Sequence, residues 1–205
     1  MKRTRNRGGM AIEFSLSLFV LMPLLMGTSV IGMNLLRAIQ VTQFCRDVGH
    51  MYAYGIDFSQ AANKTLLTHL AQGLDVQTSG GNGAVIFSTV TFVGSTDCTA
   101  AGLAANTTSC PNLNQAVFCR RIVVGDPSKL TSHYGTPNSS IIGAGGYITS
   151  TNYLRDTSDR AAGFSNLMSL SSGQFAYLTE AYVAAPDIDW KGYMTGTGSY
   201  SFNIF

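Results

Sequence analysis

The sequence is poor in charge. Only 12% of its 205 residues are Asp, Glu, Lys or Arg. That is too few for an acidic or basic disordered tail. No basic patch with interleaved aromatics is present, so the electrostatic footprint of a nucleic-acid binder is missing and no nucleic acid is expected as a partner. The three histidines, His50, His69 and His133, are scattered. No G-x-S-x-G, H-E-x-x-H or Walker loop occurs, so no common catalytic motif places chemistry on the chain. Gly143-Ala144-Gly145-Gly146 is too short for a dinucleotide fingerprint and reads as a flexible loop. The four cysteines show no C-x-x-C spacing, which argues against zinc. Asp156 with Asp159, and Asp187 with Asp189, offer two carboxylates each, too few to define a Ca²⁺ site. The expectation is therefore a non-enzyme with no catalytic residue, metal or cofactor. Asn-x-Ser/Thr triplets at Asn63, Asn106 and Asn138 are chance matches in a Ser/Thr-rich chain.

What is present is concentrated near the start. Lys2, Arg3, Arg5 and Arg7 precede Gly8 and Gly9. From Met10 to Leu36 the chain is apolar or small and uncharged, apart from Glu13. About 27 residues of helix at about 1.5 Å rise span roughly 40 Å, enough to cross a hydrocarbon core of about 30 Å. The basic cluster should stay cytoplasmic, leaving the chain after Arg37 outside. A carboxylate inside such a span costs roughly 2.5 kcal/mol or more, so Glu13 is by default functional; the alternative is an acid placed to suit the helix dipole. A secretory signal peptide wants a shorter apolar core and an A-x-A-like cut site, and none follows this run. Pro23 inside the segment predicts a kink, either useful to packing or merely tolerated in a membrane.

The stretch Arg5-Asn6-Arg7-Gly8-Gly9-Met10-Ala11-Ile12-Glu13-Phe14 resembles the processing site of type IV pilins, and among them the TadE-like minor pilins of tight-adherence pili. The resemblance covers residues 5 to about 56. It implies a basic leader, residues 1–8, removed by a prepilin peptidase between Gly8 and Gly9, which makes Glu13 the fifth mature residue with Phe14 after it. It also implies handling by an inner-membrane assembly platform and bundling with other pilin subunits, with membrane lipid around the helix beforehand. In such a bundle Glu13 of one subunit would face the new α-amine of Gly9 on a neighbour. Residence in the bacterial inner membrane, then at the cell surface in a pilus, follows from the same likeness.

The remaining chain reads as an α+β head. Residues 9–36 form the membrane and assembly helix, residues 37–56 its extracytoplasmic continuation, and residues 57–205 the globular domain. Val41, Phe44, Cys45, Val48, Met51 and Tyr52 make an apolar stripe at helical spacing that should dock on a sheet. Gln40, Gln43, Arg46, Asp47, His50 and Tyr54 fall on the other side, with His50 solvated. Gly55 should end this helix. Asp57 with Gln60 resembles a capping box for a second helix carrying Phe58, Ala62, Leu66, Leu67, Leu70 and Leu74, with Gly73 as its stop. Strands are expected at 84–93, 116–124, 174–184 and 192–205, a loop at 94–115, a turn at 137–140, and a short helix within 159–170. The fold class expected is a long helix packed on an antiparallel sheet, as in type IV pilins.

All four cysteines lie outside the membrane on this topology, where disulfides form. Cys98 and Cys110 flank a small-residue loop and make the natural local pair. Cys45 would then face Cys119; free buried thiols are the alternative. Loss of the four leader cations leaves 9 Lys and Arg against 11 Asp and Glu, a formal charge of −2. Two functions from different classes stay open. One is a minor pilin or pseudopilin that joins or primes a filament. The other is a signal-anchored extracytoplasmic binding domain or enzyme that keeps its leader and never polymerises.

Overall fold

A computed structural model describes residues 7–185 and 198–205. Helix α1 runs from Arg7 to Ala53, 47 residues without interruption. At about 1.5 Å per residue it is roughly 70 Å long. Its C-terminal end is closed as the sequence predicts. Gly55 takes a left-handed φ of 90°, its N–H donates to Tyr52 O, and the Ile56 N–H donates to Met51 O. This is a Schellman cap, and glycine accepts its geometry without Cβ strain.

Among the described residues four strands follow: β1 Gly83–Phe92, β2 Ala116–Gly125, β3 Phe175–Val183 and β4 Ser199–Ile204. They form one antiparallel sheet in the order β2-β1-β3-β4. The molecule is thus an α+β protein with a long apolar helix on an antiparallel sheet, a type IV pilin-like layout. The run Val85-Ile86-Phe87 is apolar on both faces because β1 is central and covered on both sides. On one face, Val41, Phe44, Cys45, Val48 and Tyr52 of α1 pack with Val85, Phe87, Ile122, Val124, Ala181 and Val183. Gly49 lets the helix approach closely: a Cβ there would stand 2.6 Å from the Phe205 ring and 3.2 Å from the Thr179 hydroxyl. On the other face, the segment after β2 folds back, bringing Tyr134, Ile148, Ala161 and Phe164 onto Val90, Phe118, Ala176 and Leu178. The C-terminus is tied in, since Phe205 and Tyr177 exchange two backbone hydrogen bonds.

Several expectations need correction. Asp57 does not cap the second helix. Helix α2 spans Ala61–Leu70 behind Gln60, with no side-chain cap, because the Asp57 carboxylate accepts instead from the Ser59 N–H and from Arg120. Within α2 only Leu67 is buried, while Leu66 and Leu70 face solvent; Phe58 and Leu74 are buried outside it. His50 is half-buried rather than solvated, its ring 4.2 Å from that of Phe205. The 94–115 loop holds a short helix, α3 Ser95–Ala100, whose Asp97 carboxylate accepts from the Gly94 N–H. The short helix expected within 159–170 is two 3₁₀ turns, Thr157–Asp159 and Phe164–Asn166. The α-helix of this region, α4, lies earlier at Ser150–Arg155. The last strand begins at Ser199; its expected beginning at 192–197 lies outside the described residues, as do Asp187 and Asp189.

Candidate functional site

The first half of α1 is the outstanding feature. No residue from Gly9 to Gln40 is buried, and Phe19 is 82% exposed. The helix is long and apolar enough to cross a membrane. A soluble chain does not leave an apolar surface of this size open to water. Three of the hydroxyls on this arm are satisfied within the helix. Ser15 donates to Ala11 O, and Thr28 and Ser29 donate to Leu25 O. Bonding back to the i−3 or i−4 carbonyl removes the cost of a bare hydroxyl in lipid. Pro23 sits inside the helix and does not end it. It deletes one i→i−4 hydrogen bond while the ladder continues on both sides.

Gly8 and Gly9 lie in the first turn of α1, at its free end. A Cβ on Gly9 would meet nothing within 4 Å. Glu13 and Phe14 are exposed. Gly9, Ile12, Glu13, Leu16, Ser17 and Val20 line one face, the i, i+3, i+4 pattern of a single helical stripe. Residues 1–6, with Lys2, Arg3 and Arg5, lie outside the described residues.

In the head, Cys98 and Cys110 are joined, as their flanking of one loop predicts. The second pairing is corrected: Cys45 and Cys119 are free. Helix α1 crosses the sheet over β3 and β4, so the Cys45 thiol meets Thr179 O and Ser201 O. Cys119 belongs to β2, two strands away from β3, at a bulge where the register slips between Thr89 and Val90. Neighbouring strands are spaced about 4.8 Å, placing the two cysteines roughly 10 Å or more apart, beyond disulfide reach. Burial pushes both thiols up to about 12, which keeps them protonated and inert.

Sequence reasoning missed a set of buried polar groups that lock the head. Glu180, fully buried, accepts from the Ser132 hydroxyl, the His133 N–H and the Tyr200 hydroxyl. It pins the segment covering the second face, and β4, to β3. Asn112 donates to Tyr153 O and Asp156 O and accepts from Arg160, joining the disulfide loop to α4. Arg120 bonds Asp57 and Gly145 O and lies 4.1 Å over the Tyr147 ring. Burial alone would raise the Asp57 carboxyl, but the hydrogen bonds from Ser59 and the charge of Arg120 hold it below the ordinary range. Only the run Cys119-Arg120-Arg121, two cations inside an apolar strand, signalled a buried polar layer. Asp156 caps the turn at 157–159 through Ser158 N–H, and Asp159 is buried beneath it. Among the described residues no three His, Cys, Asp or Glu are grouped to hold a metal.

Comparison with known proteins returned no matching family model, no matching characterised protein and no matching solved structure.

Proposed function

We propose that the chain is a TadE-like minor pilin or pseudopilin, a filament subunit that joins or primes a pilus through its N-terminal helix. The observation that carries this reading is the division of one continuous helix into two halves. The first is apolar and unburied over more than thirty residues; the second is buried on the sheet from Val41 onward. A membrane anchor alone needs about 20 apolar residues and no rigid link to its domain. A subunit that leaves the membrane and packs by its helix needs both halves in one rod. On this reading Gly8 and Gly9 flank the cut made by a prepilin peptidase, and Glu13 and Phe14 lie on the bundling surface. The head with its disulfide faces the extracytoplasmic side. The partners are other pilin subunits and the inner-membrane assembly platform.

Intact mass and N-terminal sequencing of the protein from its native membrane test this directly. An N-terminus at Gly9 is expected. A retained leader would favour the signal-anchored domain that never polymerises.

A further inference from the structure

The β2 edge of the sheet carries a groove that no part of the assembly reading uses. It is an open groove of about 630 Å³ lined by β2, by Ser59 and Lys64, and by the segment that folds back after β2. Among the described residues its charged lining is Arg121 and Lys64, and no acid lines it. Arg121 is 6% exposed. It donates one guanidinium N–H to Gly135 O and packs 5.3 Å from the Phe118 ring. Among the described residues no carboxylate stands within 4.0 Å of it. Glu180 and Asp159 influence it from further away, but the Glu180 carboxylate is already held by three other donors. A buried guanidinium normally meets a carboxylate or phosphate through its paired N–H groups, and here that partner is not supplied by the fold. Lys64, half-buried, likewise has no ion pair among the described residues.

The rim adds neutral donors. Thr131, Thr136 and Ser139 are exposed there, and their hydroxyls have no protein partner among the described residues. Val123 and Ile142, both part-exposed, supply apolar surface beside these groups. Two cations, three hydroxyls and an apolar wall match a molecule with one carboxylate, several hydroxyls and a C–H face. We propose that this groove binds an acidic saccharide, its carboxylate on Arg121 and Lys64 and its hydroxyls along the Thr131–Ser139 rim. No residue of α1 lines the groove, so the inference is independent of filament assembly.

The test uses the full chain in detergent micelles, titrated with glucuronate, galacturonate, glucose and inorganic phosphate by calorimetry and saturation-transfer NMR. At least one uronate should bind saturably near ~1 mM, a weak but measurable affinity. Glucose and phosphate should each bind about tenfold more weakly or not at all, because each supplies only half of the recognised chemistry. Lys64→Glu at the surface should weaken the uronate about tenfold with an unchanged melting curve, since a like charge then faces the ligand. Arg121→Gln should abolish binding; if that variant does not fold, Lys64→Glu and Thr136→Val decide the matter. Absence of saturable uronate binding, phosphate binding as tight as the uronate, or unchanged uronate affinity in Lys64→Glu would each overturn the proposal.

Discussion

Asp159 is fully buried, and neither carboxylate oxygen has a hydrogen-bond partner among the described residues. Burial pushes its carboxyl up to about 8, Asp156 adds to this and Arg121 opposes it. Cys119 is its other titratable neighbour. A folded value above the unfolded value of about 3.9 means that the folded state holds the proton more tightly. Stability from this group is then full below about pH 4 and declines as pH rises towards 8. Asp159→Asn should therefore raise the head's melting temperature at pH 8.5 and leave it nearly unchanged at pH 4, by thermal denaturation monitored with circular dichroism. A stabilisation equal at both pH values would show that titration of Asp159 has no part in it. Asn112 presents the opposite case, a buried side chain whose two donors and one acceptor are all engaged. Asn112→Ala leaves Tyr153 O, Asp156 O and Arg160 short of partners. It should cost about 1–3 kcal/mol in urea denaturation, and a cost below about 0.5 kcal/mol, the level of an ordinary surface change, would refute the hub role.

At the scale of elements, the disulfide and the two thiols make one prediction. In the unfolded, unreduced protein, alkylation should label two cysteines, Cys45 and Cys119, and reduction should expose Cys98 and Cys110 as well. Labelling of none before reduction would restore the Cys45–Cys119 bridge. Gly49 tests the helix–sheet contact: Gly49→Val should destabilise the head by about 1–3 kcal/mol, the usual cost of overpacking. An unchanged urea midpoint would mean that α1 does not sit as close to Thr179 and Phe205 as described. Elements with strong periodicity were legible in the sequence. The α1 stripe, the Gly55 stop, and β1 to β3 within about a residue all follow from apolar patterning, which tertiary packing reinforces. Elements held by tertiary partners were not. Helix α3 depends on Asp97 and the disulfide, α4 on Leu154 packing beside that disulfide, and Asp57 was drawn from capping by Arg120, distant in sequence. Cys45 and Cys119 were misjudged because pairing by elimination ignores which strand the helix crosses. Of the candidate site, residues 8–14 stand out in sequence by composition and spacing. The groove does not, because its residues come from α2, β1, β2 and the segment after β2.

At the scale of the whole molecule, the question is why one rod should join a greasy arm to a locked head, with a carboxylate near the arm's free end. Arm and head do not share a core in the first thirty residues of the helix, so a change at Glu13 leaves the head's packing untouched. An unpaired carboxylate at membrane depth costs roughly 2.5 kcal/mol or more, so removing it should make the lone subunit easier to insert. Retaining it is advantageous only if a partner is met later, and the α-amine of Gly9 on a neighbouring subunit is the partner the proposed assembly supplies. Taking away one member of a buried pair leaves the other charge uncompensated, at a cost of roughly 3–5 kcal/mol. Glu13→Gln and Glu13→Ala should therefore permit normal leader removal and membrane insertion but deplete the subunit from filaments. The measurement compares mature protein in sheared filaments with that in the membrane fraction, wild type against variant, with the head's melting curve as a control for folding. If both variants enter filaments as well as wild type, Glu13 serves only to favour the start of the helix, and the arm must find its register through apolar contacts alone.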